Sequence, residues 1–160
     1  MTNIRIGMGY DVHRLDDDLP LILGGVDIEC KKGIVAHSDG DIVLHALSDA
    51  LLGAAGLGDI GHFFPDTDAK NKNLDSSFIL IDVLEKLKQL SYCIVNLDIT
   101  IVLEKPKLQP HIHSIKESLS NILHLSTNFI NIKATTSEGM GFVGKNNGIA
   151  CYSVVLIEKE

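Results

Sequence analysis

Alternating apolar and polar residues predict several β-strands in this chain. The most regular stretch runs from Val95 to Leu103, where every second side chain is apolar and the intervening Asn96, Asp98 and Thr100 are polar. Such a period of two is typical of a strand with one buried face. Further strands are predicted at Arg5–Gly9, extending to His13, at Leu21–Glu29 with a Gly-Gly break, at Ile130–Ala134 and at Gly148–Glu158.

Apolar residues at helical spacing predict three helices. The first runs from about Asp41 to Gly53 or Gly56, with Ser38 or Asp39 as N-cap. The second begins near Asp75 or Ser76 and is expected to bury Phe78, Ile81, Leu84 and Leu87. The third runs from about Pro110 to Leu123 and is expected to bury Ile112, Ile115, Leu119 and Ile122.

The order of these elements predicts an α+β fold, an α/β sandwich with a single mixed sheet and helices packed on one face. The strands have few neighbours within the chain, so we expect another subunit to complete a sheet face. At 160 residues the chain fits one domain, residues 1–160.

Charge and cysteine content restrict the classes of partner. The net charge of −7 argues against binding to nucleic acid or to a membrane surface, and an anionic small substrate would need a metal or aimed backbone amides. The three cysteines are far apart and never form a CxxC pair, which indicates a reducing compartment. We therefore expect a cytoplasmic protein, or one from a plastid-type organelle if a transit peptide has been removed.

Asp11, His13 and His45 form the most specific candidate site. Side chains at i and i+2 of a strand point to the same side, so Asp11 and His13 project together. The first predicted helix places His45 and Asp49 on one face, with Asp41 one turn earlier. Two imidazoles and a carboxylate suit Zn²⁺, although each residue could equally be an ordinary surface or capping group.

A hydroxyl-rich segment, Thr135–Glu138, follows the predicted strand at Ile130–Ala134. Its hydroxyl groups could donate to phosphate oxygens, and Glu138 could hold a hard divalent cation. The alternative is the end of an edge strand followed by a turn. Gly7-Met8-Gly9 does not predict a dinucleotide loop, because Val12 occupies the position that a third glycine would need.

Five ordered motifs connect these sites: GYDVHR at 9–14, HSDGD at 37–41, HALSDALLGAAGLGDIG at 45–61, FPDTD at 64–68 and KATTSEGMGFVG at 133–144. Together they closely resemble the 2-C-methyl-D-erythritol 2,4-cyclodiphosphate synthase family. The resemblance implies a homotrimer with active sites between subunits. It also implies a lyase that cyclises 4-diphosphocytidyl-2-C-methyl-D-erythritol 2-phosphate and releases CMP, in non-mevalonate isoprenoid precursor synthesis.

The resemblance also implies a role for individual residues. Zinc would be held by Asp11, His13 and His45, with Asp49 supporting His45, and a second cation, Mg²⁺ or Mn²⁺, would be held by Glu138. His37 and Thr136 would be the catalytic residues. The cytidine diphosphate substrate would contact Asp11, His13, His37, Ser38, Asp59, Ile60, Gly61, Phe64, Pro65, Asp66, Thr67, Asp68, Leu103, Glu104, Lys105, Pro106, Lys107, Leu108, Gln109, Ala134, Thr135, Thr136, Ser137, Glu138, Phe142 and Lys145.

The chain departs from the family pattern near the predicted trimer axis. Lys145 stands where the family commonly has arginine, and Asn147 where it commonly has an acidic residue. Lysine keeps the positive charge but lacks the planar bidentate donors of arginine. Two other functions use the same trio: a zinc phosphohydrolase that activates water, and a noncatalytic trimeric module with structural zinc, which would require a fourth protein ligand.

Overall fold

A computed structural model of the protein describes residues 3–36, 38–65 and 74–160. In these ranges it contains the five-stranded mixed sheet and the helical layer predicted from the sequence pattern. The helices of these three ranges are all too short or too polar to span a bilayer. His37 and residues 66–73, which include the predicted substrate contacts Asp66, Thr67 and Asp68, lie outside the described residues.

In the described residues, seven strands form one main sheet and a small ribbon. In chain order they are β1 (Ile4–Asp17), β2 (Ile22–Leu23), β3 (Val26–Asp27), β4 (Lys32–Val35), β5 (Tyr92–Val102), β6 (Ile130–Thr135) and β7 (Gly148–Lys159). The main sheet has the order β4-β1-β7-β5-β6, and all neighbours are antiparallel except the parallel pair β5 and β6. The segment predicted around the Gly-Gly break forms the β2-β3 ribbon instead, outside the main sheet.

Five helices accompany the sheet in the part of the chain that the structure describes. They are α1 (Ile42–Ala55), α2 (Ile60–Phe63), α3 (Ser76–Gln89), α4 (Ile112–Leu123) and α5 (Gly141–Gly144), and short 3₁₀ turns lie at Gln109–His111 and Thr127–Phe129. The sequence pattern did not predict β4 or the one-turn helix α2. These short elements carry too few residues for an apolar period to stand out.

α1 lies in backbone contact with β1, and two glycines make this approach possible. A Cβ atom on Gly7 would lie 1.9 Å from the carbonyl oxygen of Ala50, and one on Gly9 would lie 1.9 Å from that of Ala46. Gly7, Gly9, Asp11 and His13 are alternate residues of β1 and therefore share the face that α1 covers. The two glycines thus allow α1 to approach β1 closely beside Asp11 and His13.

The core lies between the sheet and the helices, and the opposite sheet face is open in the single chain. Ile149, Cys151, Val155 and Ile157 of β7 are fully buried on the helical side. On the other face β1 exposes Ile4, Ile6, Met8, Tyr10 and Val12, and β7 exposes Tyr152 and Val154. An exposed apolar face of this extent is typical of a surface that meets another protein chain.

The predicted buried face of α3 was wrong at Phe78 and Ile81 and correct at Leu87. Phe78 is 62% exposed and Ile81 is 46% exposed, whereas Ile79, Leu80, Val83 and Leu87 form the buried stripe. α3 carries apolar residues on two overlapping stripes, so helical spacing alone cannot choose between them. The position of α1 and β5 beneath the helix makes that choice.

Asp41 caps α1, in place of the predicted Ser38 or Asp39. Its carboxylate accepts hydrogen bonds from the amides of Val43 and Leu44 in α1 and from those of Gly24 and Gly25 in the β2-β3 ribbon. The side chain is fully buried. Asp41 therefore fastens the ribbon to the start of α1. The prediction that Asp41 shares the helix face of His45 and Asp49 was wrong, because its carboxylate is turned toward these backbone amides.

Candidate metal centre and active site

β1 and α1 bring Asp11, His13 and His45 together. Asp11 Oδ2 lies 3.2 Å from Nε2 of His13 and 3.2 Å from Nδ1 of His45. One potential ligand atom from each residue lies within 4.8 Å of the other two. The predicted trio is thus one cluster in three dimensions, although its role as a metal site stays a prediction.

The donor set and its spacing fit a zinc ion. Two atoms that bind a tetrahedral zinc at about 2.0 Å lie about 3.3 Å apart, close to the two separations measured from Asp11. Nε2 of His13 is buried and has no aligned hydrogen-bond partner despite its nearness to Asp11. In the described part of the chain, no cysteine, histidine or carboxylate joins the cluster as a fourth ligand. A metal held here would therefore have room for a ligand from outside these residues.

The cluster favours positive charge between its three side chains. Burial acts to raise the pKa of Asp11, but the imidazoles of His13 and His45, each 3.2 Å from Oδ2, outweigh it and lower the pKa to about 2. Burial likewise acts to lower the pKa of His45, yet the net shift is upward because Asp11 accepts a hydrogen bond from the ring and Asp41 and Asp39 add negative charge. Either ring protons or a cation can supply that positive charge.

The second nitrogen of His45 contacts α3. Nε2 lies 2.8 Å from Oγ of Ser76, and that hydroxyl also contacts Oδ1 of Asp39. Oδ2 of Asp39 accepts from the Ser76 amide at 2.9 Å. Sequence reasoning had considered Ser76 and Asp39 only as helix caps, because no spacing rule connects residues 31 or more positions apart.

Asp49 supports a different element from the one expected. Its Oδ1 accepts from the amide of Ile60 at 2.8 Å, while Asp59 caps α2 by accepting from His62. Burial raises the pKa of Asp49 against the opposing effect of the Ile60 amide. Asp49 therefore anchors the predicted ribose-binding segment Asp59–Gly61 to α1, one helical turn beyond His45.

Thr135–Glu138 forms a loop that Glu104 holds in place. Oε1 of Glu104 accepts from the Ser137 amide at 2.9 Å and from the Gly139 amide at 3.4 Å, while the Ser137 hydroxyl donates to the carbonyl oxygen of Met140 at 2.7 Å. Within the loop, Thr136 Oγ1 donates to Glu138 at 3.2 Å. Glu138 has a φ of 53°, an uncommon value for a residue with a side chain. Glu104 thus fixes the loop that carries Thr136 and Glu138.

The remaining predicted substrate contacts that the structure describes lie on several different elements. Leu103 donates its amide to Thr135 at 2.9 Å, which places the predicted cytidine segment Leu103–Gln109 beside Ala134 and Thr135. Phe142 packs against Gly148, the β7 residue that pairs with Arg14. Ser38 accepts from Gly40, and Phe64, Pro65 and Lys145 are at least partly exposed.

The metal cluster and the Thr135–Glu138 loop lie on strands that are not neighbours in the sheet. Asp11 pairs with Cys151, Cys151 pairs with Ile101, and Ile101 pairs with Ala134. Three strand spacings of about 4.8 Å therefore place the backbone of Asp11 about 14 Å from that of Ala134, the residue before the Thr135–Glu138 loop. Adjacent phosphorus atoms of a diphosphate are far closer together than that.

Comparisons with known proteins agree on one family. A family model described as the YgbB family matches residues 4–158. The chain is 52% identical over 157 residues to a 2-C-methyl-D-erythritol 2,4-cyclodiphosphate synthase of Haemophilus ducreyi, covering 98% of each chain.

Solved structures show the same fold. The bifunctional IspDF from Campylobacter jejuni matches all of this chain at a TM-score of 0.95 and 41% identity, and this chain spans 43% of its length. IspF of Plasmodium falciparum, in a complex with CDP, matches 100% of this chain and 99% of its own at a TM-score of 0.88 and 32% identity. This chain, with its Asp11, His13 and His45 cluster, therefore belongs to the YgbB family.

Proposed function

We propose that this protein is a 2-C-methyl-D-erythritol 2,4-cyclodiphosphate synthase. It would convert 4-diphosphocytidyl-2-C-methyl-D-erythritol 2-phosphate to the cyclic diphosphate and release CMP, as a lyase of non-mevalonate isoprenoid precursor synthesis. The observation that carries the proposal is the partly buried cluster of Asp11, His13 and His45 on a chain 52% identical to a curated synthase. The match over residues 4–158 supports one synthase domain, residues 1–160, and we expect it in the cytoplasm.

The proposed reaction needs positioning and charge compensation more than a protein nucleophile. An oxygen of the 2-phosphate attacks the β-phosphorus, the bond from β-phosphorus to the bridging oxygen breaks, and CMP leaves with that oxygen. Zn²⁺ held by Asp11, His13 and His45 would supply the positive charge that lets two anionic groups approach each other. The protein's own net charge of −7 would otherwise oppose that approach.

Residues of this chain would bind and orient the rest of the substrate. The Thr136 hydroxyl can donate a hydrogen bond to a phosphate oxygen, and Glu138 can hold Mg²⁺ or Mn²⁺ against the diphosphate. His37, Ser38 and Phe64–Asp68 would contact the methylerythritol phosphate, and Asp59–Gly61 the ribose. Leu103–Gln109 with Ala134 and Thr135 would bind the cytidine, while Ser137, Phe142 and Lys145 would lie at the margin of the site.

The active protein is proposed to be a homotrimer with its sites between subunits. Two observations support this: the separation of about 14 Å between the backbones of Asp11 and Ala134, and the apolar outer face of the sheet. Ile6 is 71% exposed and Met8 is 63% exposed on that face. Light scattering should give a trimer, and Met8→Glu should give monomers that still bind zinc but do not turn over.

Product analysis separates cyclisation from hydrolysis. The purified protein is incubated with the diphosphocytidyl substrate, and ³¹P NMR follows the products with and without a chelator. We expect the cyclic diphosphate and CMP, loss of turnover with chelator, and recovery on adding zinc. Linear phosphates would identify a phosphohydrolase instead.

A pair of histidine variants tests the cluster itself. His45→Ala should abolish turnover and zinc binding. His113→Ala should leave both unchanged, because His113 is exposed and pairs with Glu117 on the surface of α4. Normal turnover by His45→Ala with zinc still bound would rule out the assigned role of the cluster.

A further inference from the structure

We infer that Ser76 and Asp39 are positioning residues that fix the tautomer of His45 and so direct its Nδ1 lone pair toward the metal position. The inference rests on the proposed metal role of the cluster. It gives a role to two residues, one at the start of α3 and one in the turn before α1, to which neither the motifs nor the comparisons assign a role.

The donors and acceptors around Ser76 determine the direction of its hydrogen bonds. The carboxylate of Asp39 only accepts, and it receives the Ser76 hydroxyl at Oδ1 and the Ser76 amide at Oδ2. A serine hydroxyl has one proton, so once it donates to Asp39 only its lone pairs remain for other partners. Oγ of Ser76 therefore acts as an acceptor toward His45.

This arrangement decides which ring nitrogen of His45 carries the proton. Nε2 lies 2.8 Å from Ser76 Oγ, and a hydrogen bond there requires a proton on Nε2 because Oγ has none to give. In the neutral ring the lone pair is then on Nδ1, the atom 3.2 Å from Oδ2 of Asp11. These contacts from Asp39 through Ser76 to His45, called the relay below, leave Nδ1 free to bind a cation.

The setting of the relay makes it rigid. Ser76 is fully buried and is the first residue of α3, and Asp39 also accepts from the amide of Asp41, the cap of α1. Rotation of the His45 ring would break the contact with Ser76 and leave that buried hydroxyl with one partner fewer. Outer hydrogen bonds to metal-binding histidines commonly change metal affinity by about 10- to 100-fold.

Zinc affinity, measured by competition with a chromophoric chelator, provides the first readout. Ser76→Ala should weaken zinc binding about tenfold or more, and Ser76→Thr, which keeps the hydroxyl, should restore most of it. Asp39→Asn should also weaken it, because an amide can donate to Ser76 and let the hydroxyl donate to Nε2. Ser77→Ala is the matched control: Ser77 neighbours Ser76, and only its backbone amide is hydrogen-bonded, to Asp75.

Long-range ¹H–¹⁵N NMR of the histidine ring gives a second readout that does not depend on zinc. Measured above the pH at which the ring loses its charge, wild-type His45 should show the Nε2–H tautomer, and Ser76→Ala should show a mixture. Zinc affinity of Ser76→Ala within twofold of wild type, or an Nδ1–H tautomer in wild type, would overturn the inference. A wild type that binds no zinc would overturn the proposed function, while the tautomer would still decide the role of Ser76.

Discussion

Gly9→Ala should separate β1 from α1 and thereby disrupt the metal cluster. The added Cβ would lie 1.9 Å from the carbonyl oxygen of Ala46, 2.8 Å from the amide nitrogen of Ala50 and 2.9 Å from the carbonyl carbon of Ala46. All three atoms belong to the backbone of a helix and cannot rotate away as a side chain could. The strand and helix must therefore move apart by at least about 1 Å.

The expected energetic cost follows from this overlap. Overpacking of a tight contact typically costs about 1–3 kcal/mol, and the lower backbone entropy of alanine in the unfolded chain offsets about 0.4–1 kcal/mol. We expect Gly9→Ala to lose about 2 kcal/mol of unfolding free energy. Because His45 adjoins Ala46 and Asp11 lies two residues beyond Gly9, their separation of 3.2 Å should also widen, and zinc binding should weaken.

Two other glycines provide controls. Gly7→Ala would clash equally with Ala50, but this contact is one helical turn further from His45, so stability should fall with a smaller loss of zinc affinity. Gly53→Ala meets nothing within 4 Å and should stabilise α1 by about 0.5–1 kcal/mol.

Urea unfolding followed by circular dichroism measures the stability of each variant, and chelator competition measures its zinc affinity. If Gly9→Ala matched wild type in both, the close contact between β1 and α1 would not be what assembles the cluster.

Three further predictions concern other carboxylates. Asp41→Asn should lose about 3 kcal/mol of unfolding free energy in urea, because its side-chain NH₂ group would face the N–H donors of the ribbon and of α1. Unchanged stability would contradict the capping role. Glu104→Ala should lower kcat about tenfold at unchanged zinc affinity, because the loop that carries Thr136 loses the carboxylate that holds it. An equal loss of zinc binding would indicate general unfolding instead. In zinc-free protein the pKa of Asp11 is lowered from 3.8 to about 2, so its carboxylate contributes stability that is present above pH 3.8 and lost as the pH falls toward 2. Acid titration of the unfolding free energy should show about 2 kcal/mol of this loss in wild type and none of it in Asp11→Asn.

Local sequence patterns determined much of the fold and the central part of the site. The alternation in Val95–Leu103 predicted β5, and the structure buries Leu97, Ile99, Ile101 and Leu103 as expected. The period of two placed Asp11 and His13 on one side of β1, and helical spacing predicted α1 around His45. These predictions succeeded because they depend on periodicities set by the backbone over a few residues.

Only the tertiary structure decided the contacts between segments distant in the chain. It chose Asp41 rather than Ser38 or Asp39 as the cap of α1, because the amides of the β2-β3 ribbon converge on Asp41. It placed Ser76 against His45, and strand order set the backbone of Asp11 about 14 Å from that of Ala134. In β1 and β5 the sequence alone determined which residues share a local face. Packing between elements determined what each face meets and, in α3, which of two apolar stripes is buried.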